Sequence, residues 1–255
     1  MIIAAAASIS FILPLPRARA PRVDPTNRKN AMITVHHLNN SRSQRVLWLL
    51  EELAIPYEVK RYQRDPKSML APPELRQVHP LGKSPVITDG DVTVAESGAI
   101  VEYLLDTYDT ANTLRPPVGT ADRRRFTYWL HYAEGSAMLP LLLSLIFGRL
   151  PRSPMPFFAK PIVRQVAQKA REGFIEPQLK NHLAFMEGEM TGRSWFAGDR
   201  FSAADIQMSF PLEAFAARGG LDAGKPALWA WLQSIHARPA YLKALEVGGP
   251  YELMR

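Results

Sequence analysis

The chain has 255 residues, of which 47% are hydrophobic and 22% charged, and its formal net charge is +7. This composition excludes a disordered chain, and the length is sufficient for two domains, which the 22 prolines favour. The absence of cysteine excludes a disulfide framework, a thiolate metal site and any mechanism that uses a sulfur nucleophile of the protein itself.

The first 31 residues carry most of the positive charge. They hold five basic residues against Asp24, a net of +4, so the remaining chain carries +3, which favours a solvated surface over a nucleic acid partner. Their apolar stretch, residues 2–13, is shorter than the ~20 residues that cross a bilayer. A secretory signal would have positive charge before that stretch. We therefore expect residues 1–31 to be an extension outside the fold, and a cytoplasmic protein without a membrane span.

Residues 32–114 have the pattern of an α/β domain. Apolar residues recur with helical spacing between Val46 and Leu53 and again between Glu96 and Tyr108. Four β-like runs flank these helices and predict strands over 33–38, 57–61, 84–88 and 92–95. The order β-α-β followed by β-β-α predicts a thioredoxin-like domain, with a parallel first pair of strands and a hairpin formed by the last two.

The rest of the chain predicts an all-helical second domain, residues 120–255, after a linker over 115–119. One long helix is expected over 123–147, interrupted or kinked at Pro140, and another over 162–189. Ser202, with Asp205 three positions later, then predicts a capped helix start. We interpret this last motif as a folding signal without a catalytic role.

Polar residues follow the first predicted strand, at the point where the first helix begins. Ser41, Arg42, Ser43 and Arg45 lie in this turn. The free N–H groups and the positive end of the helix dipole favour an anion here. Helix capping is the alternative role for either serine.

Two further turns carry polar groups. A cis bond between Ser84 and Pro85 would turn the Ser84 backbone N–H and C=O outward, where they could bind the backbone of another peptide. Glu96 can accept from an ammonium group, and Ser97, at a helix start, can donate to a carboxylate. These last two residues suit the free amino-acid end of a ligand.

In this order and spacing, the three motifs resemble those of the glutathione transferase superfamily, most closely a subgroup from bacteria and fungi. The resemblance covers residues 32 to about 241. It depends on three segments, namely Ser41-Arg42-Ser43-Gln44-Arg45, His79-Pro80-Leu81-Gly82-Lys83-Ser84-Pro85 and Ala95-Glu96-Ser97-Gly98-Ala99-Ile100. It implies a thioredoxin-like domain that binds glutathione and a helical domain that supplies the second substrate site.

The resemblance also implies residue roles. The cis-proline of the family falls on Pro85, and its backbone clamp for the cysteine of glutathione falls on Ser84. Lys83 matches the basic residue near the glycine carboxylate. Glu96 and Ser97 match the pair that recognises the γ-glutamyl end.

The activating group of the family falls on Ser41, with Ser43 or backbone N–H groups as alternatives and Arg42 as a further glutathione contact. The expected chemistry is attack by the glutathione thiolate on an electrophilic carbon or a hydroperoxide oxygen. Glutathione enters as co-substrate, and no metal is expected. A thiol transferase is excluded because it would have cysteine at position 41.

The resemblance places the second substrate beside the first long helix, where we expect Tyr128, Tyr132 and Met138 to line a hydrophobic pocket. It also implies a homodimer, for which we expect complementary patches formed by Glu102, Tyr103 and Asp106 and by Arg123, Arg124 and Arg125. The rival hypothesis is a non-catalytic module of the same fold that acts through protein contacts.

Overall fold

The computed structural model describes residues 32–253. The predicted extension 1–31 therefore lies outside the described residues, and so does the chain end at 254–255. The first half consists of strands and helices in the order expected from the sequence. Its elements are β1 (Ile33–Leu38), α1 (Ser43–Glu52), β2 (Tyr57–Tyr62), α2 (Leu75–Val78), β3 (Val86–Asp89), β4 (Val92–Ala95) and α3 (Ser97–Tyr108).

The four strands form one mixed sheet in the order β2-β1-β3-β4. Strand β1 is parallel to β2 and antiparallel to β3, and Val35 of β1 lies opposite Val59 of β2 and Ile87 of β3. Strands β3 and β4 form an antiparallel hairpin. The predicted thioredoxin-like architecture is confirmed. Strand β3 begins at Val86, two residues later than expected, because Pro85 has no N–H for a ladder bond.

Helices make up the second half of the described chain. They are α4 (Ala121–Tyr132), α5 (Met138–Arg149), α6 (Ala159–Ala170), α7 (Glu176–Met190), α8 (Ala203–Arg218), α9 (Pro226–His236) and α10 (Pro239–Gly248). The predicted all-helical half is confirmed, and Ser202 and Asp205 do form a capping box at the start of α8.

Two π-helical turns, over residues 133–137 and 171–175, interrupt the long helices. In a regular α-helix, the ring of a proline clashes with the carbonyl of the residue four positions earlier. These carbonyls belong to Ser136, four residues before Pro140, and to Gly173, four residues before Pro177, and each lies within one of the two π turns. The break that we expected at Pro140 is therefore displaced into the preceding turn. The second long helix extends beyond the predicted 162–189 at both ends and contains the second π turn.

The helical run Ala121–Arg152 has the length and apolar composition of a membrane-crossing helix, and 39% of its most apolar window is buried. Its two helices, α4 and α5, pack against α8, and α5 also packs against α7. One side of the run thus packs within the helical half, while Leu139, Leu142 and Ile146 are exposed.

The two halves share one hydrophobic core. Helix α1 packs against α8 and α10. Trp48 of α1 lies edge-on to Tyr241 of α10, with ring centroids 5.1 Å apart. Burial of such large aromatic surfaces stabilises the position of α1 relative to the helical half. This position matters because the candidate site begins at the N-terminus of α1.

Candidate active site

A cleft of about 290 Å³ lies where the two halves meet. The turn before α1, the start of β3, the start of α3 and the helices after residue 133 contribute to it. It is lined by Arg42, His79, Leu81, Lys83, Ser84, Pro85, Ala95, Glu96, Ser97, Glu134 and Leu142. The structure thus brings together residues from all three motifs singled out in the sequence.

The Ser84–Pro85 peptide bond is cis, as the family resemblance implies. The Ser84 hydroxyl donates to the carbonyl oxygen of His36 in β1 over 2.8 Å. This hydrogen bond joins the start of β3 to the neighbouring strand, so the segment at the cleft wall has a defined position.

Glu96 precedes α3 in an unusual backbone conformation, with φ of +70°. A residue other than glycine in such a region costs about 1–3 kcal/mol, and such residues concentrate at ligand-binding sites. The side chain is exposed on the cleft wall. The backbone therefore presents a carboxylate to the cleft at an energetic cost.

Ser97, the first residue of α3, is buried and already accepts two hydrogen bonds. Its oxygen lies 3.1 Å from Nη2 of Arg45 and 3.4 Å from Nε2 of Gln207. A serine hydroxyl has two acceptor lone pairs and one proton. Because both lone pairs are occupied, the proton remains available for donation to an acceptor in the cleft.

Arg45 is fully buried and connects both halves of the molecule. Its Nη1 donates to the carbonyl oxygen of Gln207 in α8 over 2.6 Å. That carbonyl lacks its usual helical donor because Pro211, four residues later, has no N–H. The arginine therefore satisfies a backbone acceptor that the proline leaves free.

Glu134, in the first π turn, pairs with two arginines. Arg42 Nε lies 2.8 and 2.9 Å from its two carboxylate oxygens, and Arg45 Nη2 lies 2.5 Å from one of them. Burial opposes ionisation of this carboxyl, but the charge of Arg45 and the contacts with Arg42 outweigh it and hold its pKa below the usual value. The carboxylate therefore offsets one of the two positive charges of these arginines beside the cleft.

Ser41 and Ser43 are both buried and form a hydrogen-bonded chain with His37. The two hydroxyl oxygens are 2.8 Å apart, and the Ser43 oxygen lies 2.9 Å from Nδ1 of His37. The Ser43 hydroxyl also lies 3.3 Å from the carbonyl oxygen of Leu38. Ser43 is thus surrounded by protein partners. Ser41 is the last hydroxyl of this hydrogen-bonded series, and its oxygen also accepts from the Ser43 N–H at 3.2 Å.

The pH dependence of stability should reveal the buried state of His37. Burial and the charge of Arg61 lower its pKa to about 4, although a hydrogen bond to the Gly248 backbone opposes the shift. Since the unfolded chain takes up this proton near pH 6.5, the folded state loses stability as the pH falls from 6.5 to 4, by up to about 3 kcal/mol. Urea unfolding at several pH values, compared with His37→Gln, isolates this contribution. Parallel profiles for the two proteins would contradict it.

The three residues expected to line the second-substrate pocket lie away from the cleft lining. Tyr132 is buried against α7, where its hydroxyl contacts Nδ1 of His182. Tyr128 stacks on Tyr132 with centroids 5.6 Å apart, and Met138 is buried in the core. The helical half contributes Leu142 to the cleft instead.

Sequence reasoning missed two residues of the site. Glu134 follows α4 without any motif, and its pairing with Arg42 and Arg45 bridges about 90 positions of the chain. Gln207 was missed as well, although Pro211 within a helical pattern signals a carbonyl that lacks a helical donor.

The arrangement defines a class of protein: a thioredoxin-like domain joined to a helical domain, with a polar cleft where the two meet. Residues 30–106 match the family described as "Glutathione S-transferase, N-terminal domain", and residues 165–234 match "Glutathione S-transferase, C-terminal domain". The chain is 37% identical over 224 residues to Glutathione S-transferase 1 of Saccharomyces cerevisiae, covering 84% of this chain and 94% of the relative. It belongs to the glutathione S-transferase family.

Solved structures agree with this placement. A glutathione S-transferase from Actinobacillus pleuropneumoniae shares 34% identity with a TM-score of 0.72, covering 87% of this chain and 95% of that one. A sphingomonad glutathione S-transferase, solved in complex with glutathione, shares 27% identity with a TM-score of 0.63, covering 85% of this chain and 98% of that one.

Proposed function

We propose that the protein binds glutathione in this cleft and activates its thiol for attack on an apolar electrophile or a hydroperoxide, as a detoxifying transferase. The observation that carries the proposal is a pair of opposite charges on the cleft wall. Within residues 32–253, neither the Lys83 ammonium nor the Glu96 carboxylate has a hydrogen-bonded or ionic partner, and both residues line the cleft. Glutathione carries an ammonium group at one end and a carboxylate at the other, so its charges complement theirs.

Each part of the ligand has a matching group. Glu96 would accept from the γ-glutamyl ammonium, and the Ser97 hydroxyl, at the positive end of α3, would donate to the adjacent carboxylate. The backbone of Ser84 would pair with the cysteinyl residue. Lys83 would bind the glycine carboxylate, and Arg42 would supply a further positive charge near the ligand.

Ser41 is our candidate for activating the thiol. A free thiol with pKa about 8.5 is only about 3% ionised at pH 7, and lowering the pKa by about two units, or about 2.7 kcal/mol, raises this to roughly 75%. The N-terminus of α1 favours the thiolate, and a hydroxyl donated by Ser41 would add to this effect. Both serines are buried, so the sulfur would have to lie directly over the turn.

The two serines can be separated by substitution. We expect Ser41→Ala to lower turnover with an aryl halide by about tenfold or more and to raise the pH at which bound thiolate absorbs. Ser43→Ala serves as the comparison, since its hydroxyl is surrounded by protein partners. If only Ser43→Ala produced these changes, Ser43 would be the activating residue. If neither substitution produced these changes, the thiol would be activated by backbone N–H groups of the turn.

The second substrate has an apolar surface available beside the cleft. Leu139, Leu142 and Ile146 are exposed on one face of α5, and Leu142 reaches the cleft lining. We propose that the apolar part of the electrophile packs on this face, in place of the pocket expected at Tyr128, Tyr132 and Met138.

Two measurements test the function as a whole. Retention on glutathione resin tests binding, and activity against a panel of aryl halides, other electrophiles and hydroperoxides tests chemistry. Transferase activity with at least one electrophile supports the proposal. Retention on the resin without activity against any of the panel would favour the non-catalytic module, which the names of the relatives do not favour.

A homodimer remains part of the proposal, but much of the charged surface expected to form it is already paired within the chain. Asp106 pairs with Arg115 at 2.5 Å, and Arg125 pairs with Glu189 at 2.8 Å. Charge reversal of Arg125 would therefore disturb the fold as well as a dimer. Sedimentation of the wild type remains the direct measurement of the oligomeric state.

A further inference from the structure

The connection between α5 and α6 forms a basic surface. We call residues 149–164 the tip; it comprises the last residue of α5, the loop and the first six residues of α6. The tip contains no acidic residue. Its basic residues, all exposed, are Arg149, Arg152, Lys160 and Arg164. The tip alone thus carries +4, whereas residues 32–255 together carry +3.

The tip also exposes large apolar side chains. Phe157 is 83% exposed and Phe158 is 66% exposed, and their ring centroids are 5.8 Å apart. Ile162, one turn further along α6, is 63% exposed. Adjacent aromatic rings projecting into water are an unfavourable arrangement for a surface that contacts only solvent.

We propose that the tip docks on the surface of an anionic lipid bilayer. Aromatic and aliphatic side chains bury their apolar area at the boundary between headgroups and acyl chains, and nearby Lys and Arg bind anionic headgroups. The tip combines both kinds of group. Docking would hold the protein at a membrane without a spanning helix, beside apolar electrophiles dissolved in the bilayer.

Charge argues against a second copy of the chain as the occupant. In a two-fold contact the same patch faces itself, so four positive charges would oppose four others without acidic residues between them. Glu172 and Glu176 follow the tip in sequence and line a depression together with Pro151 and Arg164, but both carboxylates are already engaged. Glu172 accepts a hydrogen bond from Gln168, and Glu176 pairs with Arg171 at 3.2 Å. An anionic bilayer supplies the opposite charge that another copy lacks.

Vesicle sedimentation of the full chain tests the proposal. Vesicles of phosphatidylcholine with about one quarter phosphatidylglycerol should bind the protein, and vesicles of phosphatidylcholine alone should bind it much more weakly. We expect Arg152→Gln with Lys160→Gln to weaken binding about 25-fold, or about fivefold per charge. We expect Phe157→Ser with Phe158→Ser to weaken it at least tenfold.

Matched substitutions outside the tip control for general charge and apolar effects. Lys180→Gln with Arg193→Gln removes two exposed basic residues elsewhere, and Val118→Ser removes an exposed apolar side chain. These variants should bind vesicles as the wild type does. The comparison also separates the tip from residues 1–31, which are apolar and basic and are present in every variant.

The lack of cysteine permits a direct second measurement. Phe157→Cys creates a unique labelling position, and Val118→Cys gives a matched one. An environment-sensitive dye at position 157 should shift to the blue with the anionic vesicles, while the dye at 118 should not.

Two results would overturn the proposal. One is unchanged vesicle binding by both tip variants, together with no dye shift at position 157. The other is a change from dimer to monomer in Phe157→Ser with Phe158→Ser, which would identify the tip as a contact between copies of the chain.

Discussion

Replacing Glu96 with alanine is expected to weaken glutathione binding by about 30- to 1000-fold, equivalent to about 2–4 kcal/mol. The carboxylate faces the cleft without a partner in the described chain, so the substitution would leave the ligand ammonium unpaired. Since the Glu96 side chain contributes no hydrogen bond or ion pair to the described fold, and alanine keeps the backbone carbonyl that accepts from the Ile100 N–H, the free energy of unfolding should change little. Calorimetric titration with glutathione measures the expected loss.

Two variants sharpen this result. Glu96→Gln keeps the size and one acceptor oxygen while removing the charge, so it should lose part of the affinity. Glu58→Ala removes an exposed carboxylate on the edge strand β2 and should bind glutathione normally. Equal affinity of the wild type and Glu96→Ala would contradict the assignment of this residue to the ammonium group.

Substitution of Arg45 with methionine is expected to reduce the free energy of unfolding by about 3–5 kcal/mol. The guanidinium is buried and donates to Ser97, the Gln207 carbonyl and Glu134. Methionine fills a similar volume but donates no hydrogen bond. Ser97 and the Gln207 carbonyl would each lose a donor, and Glu134 would pair with one arginine instead of two. Urea unfolding measures the loss.

The same substitution should also weaken glutathione binding in protein that remains folded. Without Arg45 one lone pair of the Ser97 oxygen is free, so the hydroxyl proton is no longer directed into the cleft. Arg45→Lys keeps the charge but has fewer donors and should fall between the wild type and methionine. Arg124→Met, at an exposed position, is the control. A loss of less than about 1 kcal/mol in Arg45→Met would show that the network does not depend on this residue.

The arrangement of the first half was predictable because local signals and the topology agree. Alternating and helical apolar patterns specify β1, α1 and β2, and a crossover of that length returns the chain parallel to the first strand. The turn Asp89-Gly90, between β3 and β4, specifies the hairpin. The polar cleft residues of the first half were predictable for the same reason, since Arg42, Lys83, Ser84, Glu96 and Ser97 lie at junctions between its elements.

Contacts across long stretches of sequence were not predictable in this way. The pairing of Glu134 with Arg42 and Arg45 depends on how α1, α4 and α5 each pack against α8. The π turn after α4 inserts an extra residue into the helical register, so regular spacing cannot be extended from Tyr128 to Met138. Tyr128 and Tyr132 precede this turn, so it alters only the placement of Met138 relative to them.

Pro211 would be an early choice for replacement in an effort to raise thermostability. By helix propensity it is the least suitable residue for the interior of α8, and alanine is nominally better by ~3 kcal/mol. Yet an N–H at this position would compete with Arg45 for the carbonyl of Gln207. A design guided by propensity alone would therefore improve the helix at the expense of the arginine that directs Ser97 toward the ligand.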